Sequence, residues 1–561
     1  MVTGRAEYTM DTAIDGMLHL KVLHSPHAHA RITSIDTTEA LAVPPGVHRV
    51  YTWKDVPRKL FTTAIHTDHL VDPDDTYILD NVVRFVGQRV VAVLADSVVA
   101  AEEGRRKVKV DYEILPSVFD PEEAMADGAP ALHGSDDPFV RDPEHNILLE
   151  LHGHVATSRP GSPRPTSSTK APTSRRGFST RTSRRTVRSP GWKTDAFTFA
   201  QVRSPPSIAK VKLAHLFDLR PDQLRVFCKR VGGGFGGKQE VISEDLVALA
   251  TLDTGRPVCL EFTREEEFTT ASPRHPMKLT IKLGAKSDGT LTAFQYRNIS
   301  NTGAYGNHGG ETLFAGGAAV SLYRCANKKF DAYSVYTNNV PSGALRGYGM
   351  TQPAFAVESA MTELAIALDM DPLELRRRNI VRPGDSLIAL EDGPDDVIFT
   401  EDGLGGQCID LIDAALKRQP VPSLGADWLI GTGTASSLHE TAPPTEHISE
   451  VWLTLGEDCV YELAIGTVEF GEGTSTAHVQ IAANQLGTTP SRVRIIQSDT
   501  DRTGFDTALS PAPACLSLGT RYFARRMRSA IAYLPSPRTT PACRLTSARW
   551  TTTRSSAVVL D

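Results

Sequence analysis

Val231-Gly232-Gly233-Gly234-Phe235-Gly236-Gly237-Lys238-Gln239-Glu240 is the stretch that decides how this chain is read. A strand over 223–231 feeds it and a helix over 243–251 leaves it. Its backbone N–H groups can therefore point at an anion or an oxo group with no side chain in the way. Taken literally, Gly232, Gly234 and Gly237 spell G-x-G-x-x-G, and Glu261 ends the next strand (257–262) where a ribose-binding acid would stand. Two features oppose that dinucleotide reading. Lys229 and Arg230 precede the loop where a buried central strand wants apolar residues, and Phe235 stands where a pyrophosphate needs close approach. A glycine turn that binds nothing is the plainer alternative.

Outward from this loop the pattern recurs. Gly466-Thr467-Val468-Glu469-Phe470-Gly471-Glu472-Gly473 has the same placement, before a helix over 476–486 that Gly487 stops and a strand over 492–497. Two such loops in different domains suggest one large anionic ligand held between them. Between them lies Leu345-Arg346-Gly347-Tyr348-Gly349, an arginine fork suited to a phosphate or a polar ring edge, followed by an aromatic face on flexible backbone. A surface arginine and a core tyrosine are the bland alternatives.

The framework around these loops is legible. Ala354, Val357, Met361, Leu364 and Leu368 form one apolar helical stripe, and Asp371-Pro372-Leu373-Glu374 opens a further helix with a capping Asp and Pro at its first position. A helix is expected over 208–217. Residues 1–125 read as an α+β unit: a strand-rich run over 82–94, a helix over 98–106 capped by Asp96 or Ser97, and a half-buried strand over 108–114.

The 561 residues are enough for several domains, and no stretch approaches the ~20 apolar residues of a membrane span. The first residues lack the apolar core of a signal peptide, so the cytoplasm is the expected location and no membrane partner is expected. Seven scattered cysteines with no C-x-x-C disfavour iron–sulfur clusters and structural zinc in this chain. His24, His27 and His29 fit no tetrahedral spacing and read as solvated loop histidines, so no metal is expected on side chains. The net charge of -6 is uneven: eleven basic residues face Asp195 alone over 156–206, and eight arginines face Asp561 alone over 510–561.

With these residues together, the chain resembles the molybdenum-binding large subunit of the xanthine dehydrogenase / aldehyde oxidase family. Thr3-Gly4-Arg5-Ala6-Glu7-Tyr8, Ser25-Pro26-His27-Ala28-His29-Ala30, Val86-Gly87-Gln88 and Val110-Asp111-Tyr112-Glu113 look like its hammerhead domain. The two glycine loops and 344–349 look like its molybdopterin-contacting segments. The resemblance implies an α+β fold: a hammerhead domain over 1–130, a linker and basic segment over 131–206, mixed α/β molybdopterin-binding domains over 207–400 and 425–506 (the second partial), and a basic tail over 507–561. It implies molybdopterin as cofactor, in bacterial members often the cytosine dinucleotide form. Iron–sulfur and FAD groups are expected on partner subunits in a dimer of heterotrimers. An aldehyde or N-heterocycle is the expected substrate, hydroxylated by an oxidoreductase.

By that match, Gly234, Phe235, Gly236, Arg346 and Glu472 contact the cofactor, while Gln239 and Tyr348 face the substrate. Gln239 replaces a substrate-binding glutamate of purine-oxidising members, and no basic residue lies near Phe314, which argues against purine. Glu472 replaces the usual glutamine of the second loop, and the family's catalytic glutamate has no counterpart, so no catalytic side chain is assigned and poor turnover is expected. A nicotinamide-dependent dehydrogenase and a non-catalytic assembly module for the iron–sulfur and flavin subunits are the alternatives. The basic blocks depart from the family altogether. With few aromatics to stack bases they do not suggest a nucleic-acid partner; of disordered linkers and a frame change in the coding sequence, we favour the frame change.

Overall fold

The computed structural model describes residues 7–44, 46–64, 71–134, 140–156, 167–175, 197–201, 206–383, 385, 404–418, 427–438, 449–507, 547–551 and 559–560. The chain opens with β1 (Leu18–His24), β2 (Ala30–Asp36), α1 (Thr38–Leu41), β3 (Val47–Tyr51), β4 (Val82–Val83), β5 (Arg89–Ala95), α2 (Val98–Lys107), β6 (Lys109–Ile114) and α3 (Pro121–Ala124). Ser97 caps α2, its hydroxyl accepting the Ala100 N–H at 3.1 Å. The strand-rich run expected over 82–94 is two strands. Gly87 breaks it with φ +101°, where a Cβ would stand 2.3 Å from the Thr269 carbonyl oxygen, so only glycine lets the chain turn there.

The middle of the chain carries β7 (Ile147–Ala156), β8 (Ser167–Arg175), β9 (Phe197–Gln201), α4 (Pro206–Leu216), β10 (Leu224–Cys228), α5 (Glu244–Thr254), β11 (Val258–Leu260), α6 (Arg264–Thr269), β12 (Met277–Ala285), β13 (Leu291–Gly303), α7 (Gly309–Gly316), α8 (Ala318–Ser321), β14 (Asn327–Tyr336), α9 (Thr351–Ala367) and α10 (Pro372–Asn379). A sheet of order β7-β14-β13-β12-β8 backs onto α9, whose Val357, Met361 and Leu364 are buried in the largest core. Pro353 falls in the first turn of α9, where its missing N–H breaks no bond. Asp371 caps α10 through bonds from the Leu373 and Glu374 N–H groups, as the sequence leads one to expect.

The last part comprises α11 (Leu404–Arg418), β15 (Glu450–Leu455), β16 (Tyr461–Ile465), α12 (Thr474–Leu486), β17 (Val493–Gln497), β18 (Ser547–Thr551) and β19 (Val559–Leu560), in a sheet of order β17-β16-β15-β18-β19. The two spans expected as linker and tail thus contribute paired strands, β8 on β12 and β18 on β15. The rest of the basic blocks, and with it the frame-change reading, lies outside the described residues.

Candidate cofactor-binding site

β10 is the hub that delivers the first glycine loop. It pairs in parallel with β9, and it is also stitched to the end of β17: the Cys228 N–H donates to the Ser498 carbonyl at 2.9 Å and the Thr500 N–H to the Val226 carbonyl at 3.0 Å. Arg225 reinforces the seam with two bonds to Asp499, 3.0 and 2.5 Å, both side chains mostly buried. As a result Val231 and Val468 share one small core with Cys228 and Phe470, and the two glycine loops come face to face.

Their contact is close because glycine allows it. A Cβ on Gly234 would stand 2.8 Å from the Phe470 ring, and one on Gly236 would stand 2.9 Å from the Leu345 Cα. The Arg346 N–H donates to the Phe235 carbonyl at 2.9 Å, which brings the third segment alongside. Phe235 has φ +52° and is 58% exposed, so the strained backbone thrusts an aromatic ring outward instead of burying it. Arg346 is exposed, its carbonyl held by the Arg274 guanidinium at 2.7 Å. Gln239 is half-buried, and Tyr348, at φ +42°, is bonded to His308 at 2.8 Å.

The second loop is filled by its own carboxylates. Glu469 accepts the N–H groups of Gly471 (2.7 Å), Gly473 (3.0 Å) and Ser475 (2.8 Å). Burial would raise its pKa, but the three donors outweigh burial and hold the carboxyl below its usual range. Glu472 accepts the Phe470 N–H at 2.9 Å and the Thr474 hydroxyl, so it braces the loop it sits on. Behind it, His478 is fully buried on α12, its pKa pulled down to about 4 by burial.

Three residues matter that sequence reasoning missed or undervalued: Glu469, Glu240 and His308. Glu240 is fully buried and accepts the Ala344 N–H at 3.0 Å, pinning the first loop to 344–349. A carboxylate within or just after a glycine run is the sequence signal for such bracing; His308 lies 68 positions from Glu240 and 40 from Tyr348 and left none.

One alternative falls and one expectation is corrected. The literal G-x-G-x-x-G does not sit in a dinucleotide-binding unit: β10 pairs with β9, whereas β11, which leads to Glu261, pairs with β1 in a different sheet. A βαβ crossover needs both strands in one sheet, so Glu261 cannot serve that loop. The histidines of 24–29 are not solvated either. Burial pulls the His24 pKa down to about 3, with Arg105, Arg89 and Lys21 adding to it; His29 is buried on the Pro116 carbonyl, and His27 packs edge-on against Tyr112. Among the described residues no group of three or more His, Cys, Asp or Glu is placed to hold a metal.

The family models described as "Molybdopterin cofactor-binding domain" match residues 186–380 and 407–516, and that described as "Aldehyde oxidase and xanthine dehydrogenase, a/b hammerhead domain" matches 3–116. Together they define a molybdopterin-binding large subunit. The putative xanthine dehydrogenase molybdenum-binding subunit XdhA of Escherichia coli K12 is 32% identical over 90% of this chain and 67% of its own length. The probable hypoxanthine oxidase XdhD of Escherichia coli O157:H7 is 33% identical over 92% of this chain, which spans 58% of that relative. Among solved structures, aldehyde oxidoreductase from Desulfovibrio gigas superposes with a TM-score of 0.75 at 26% identity, covering 98% of this chain and 62% of that one. The chain belongs to the xanthine dehydrogenase / aldehyde oxidase family of molybdopterin-binding large subunits.

Proposed function

We propose that this chain holds molybdopterin between the loops at 232–237 and 466–473 and forms the cofactor-binding part of an oxidoreductase that hydroxylates an aldehyde or an N-heterocycle. The observation that carries this reading is the convergence of three glycine-bearing segments already in contact, Gly234 against the Phe470 ring and Gly236 and Phe235 against the backbone at 345–346. The residues fit the group sterically: Gly232, Gly471 and Gly473 have nothing within 4 Å of where a Cβ would stand, so a flat ligand can approach the backbone there, while the Gly471 and Gly473 N–H groups stay with Glu469.

When bound, molybdopterin supplies the two-electron redox chemistry, and the protein supplies position and hydrogen bonds. The backbone of Gly234, Phe235 and Gly236 would face the head of the cofactor, and Arg346 offers its guanidinium fork to a phosphate or a ring edge. Glu472 serves the cofactor by shaping the second loop. Gln239 and Tyr348 stand on the substrate side. Glu240, Glu469 and Glu472 are each hydrogen-bonded to loop N–H groups, which commits them to bracing the loops, and poor turnover is part of this reading. Electrons leave to iron–sulfur and FAD groups on partner subunits, in a dimer of heterotrimers in the cytoplasm; the cytosine dinucleotide is the proposed cofactor form. Among the described residues no helix is long and apolar enough to cross a membrane.

Metal and cofactor analysis of the chain purified with its partners tests this. About one molybdenum per chain supports it. NAD binding without metal sinks it in favour of a dehydrogenase, and retained partners with neither ligand leave an assembly module.

A further inference from the structure

Tyr348 occupies backbone territory that suits glycine. Its φ is +42°, between Gly347 at +93° and Gly349 at +88°, and a bulky aromatic stays there only when its surroundings hold it. The holder is an imidazole. His308 Nδ1 lies 2.8 Å from the Tyr348 hydroxyl oxygen, with the two rings edge to face at 5.6 Å. On the far side of the same ring, Nε2 lies 3.7 Å from Oε1 of Glu240. That oxygen also accepts the Ala344 N–H at 3.0 Å, and it fills the space of a missing Cβ, which on Gly343 would stand 2.1 Å away. His308 and Glu240 are both fully buried. One imidazole therefore ties the N-cap of α7, the end of the first glycine loop and the segment at 344–349.

The chemistry of the three groups gives the arrangement a direction. Nε2, 3.7 Å from the Glu240 carboxylate, is beyond hydrogen-bond length, but the nearby negative charge favours the tautomer with the proton on Nε2, which keeps Nδ1 as an acceptor. Nδ1 then takes the tyrosine O–H. Burial first, and then the negative charges of Asp72, Glu311 and Glu240, keep Tyr348 a neutral phenol able to make that donation. With its proton engaged by His308, the half-buried Tyr348 ring is held in one orientation.

We propose that His308 and Glu240 are positioning residues that fix the Tyr348 ring, hydroxyl turned inward, as a rigid aromatic face selecting planar ring substrates. The clamp itself stands on this chain's own contacts; the substrate half rests on the molybdopterin reading.

The first arm of the test needs no cofactor. The chain is labelled with 15N-histidine and observed at about pH 8, where an ordinary imidazole is neutral. The His308 signals are assigned by their loss in His308→Gln. The expected result is a proton on Nε2 and a hydrogen-bonded acceptor at Nδ1. Tyr348→Phe, which removes one oxygen and keeps the ring, should move the Nδ1 resonance to that of an unbonded acceptor, and Glu240→Gln should move Nε2. A proton on Nδ1, or an Nδ1 signal that ignores Tyr348→Phe, overturns the clamp even if Glu240→Gln does not fold. The second arm uses the complex loaded with molybdenum and its partners. His308→Gln should raise KM for a flat N-heterocycle about fivefold more than KM for a small aliphatic aldehyde. Equal changes in the two overturn the aromatic-face assignment. A chain that takes up no molybdenum overturns the functional reading, and the first arm then still decides the clamp.

Discussion

The two glycine loops look alike in the sequence and are built to opposite ends. The first, at 232–237, spends its glycines on close approach: Gly234 and Gly236 make room for Phe470 and for the Leu345 backbone, and the strain at Phe235 pushes a ring outward. The second, at 466–473, leaves Gly471 and Gly473 with open space where a Cβ would stand, yet their N–H groups already belong to Glu469. A glycine run thus says only that the backbone is accessible. Where its N–H groups go decides whether it can receive an anion.

The largest expected effect comes from breaking the first loop's packing. Gly236→Ala puts a Cβ against the Leu345 backbone at φ +89° and should cost about 3–4 kcal/mol in urea unfolding, with loss of molybdenum from the purified complex. Next is the seam that brings the loops together. Asp499→Ala leaves Arg225 mostly buried without its bidentate partner and should cost about 2–3 kcal/mol, while Asp499→Asn recovers part of it.

Glu469→Gln sharpens the contrast in the second loop, costing about 1–2 kcal/mol at neutral pH. Because the folded-state pKa of Glu469 is lowered, its contribution is present above the unfolded value of 4.5 and is lost as pH falls through the folded value. Stability curves of the wild type and Glu469→Gln should therefore converge in acid; parallel curves would refute the bracing role. The smallest effect is expected from Gly471→Ala, which meets no atom and has only φ +99° against it, about 1 kcal/mol by thermal denaturation. If Gly471→Ala proves as damaging as Gly236→Ala, the distinction between the loops collapses.

Much of this arrangement was legible before any coordinates. The stripe of Val357, Met361 and Leu364 and the cap at Asp371 are local patterns, and local patterns survive folding because they involve neighbours along one helix. The histidines at 24–29 were misread because solvation is a tertiary property: Ser25-Pro26 looks like a surface turn, yet His29 beyond it is buried on the Pro116 carbonyl, far along the chain. The strand-rich run at 82–94 did not reveal where it breaks, because the requirement for glycine at Gly87 comes from Thr269, far along the chain.

By itself the sequence determined the family, the helices with strong periodicity and the loops where backbone lies bare, since these depend on residue type and spacing within short windows. Only the tertiary structure decided that β10 and β11 belong to different sheets, that Glu469 fills its own loop, and that His308 reaches both Glu240 and Tyr348. Sheet partnership and buried polar contacts join residues from distant parts of the chain, and nothing in the local spacing of either partner records the other.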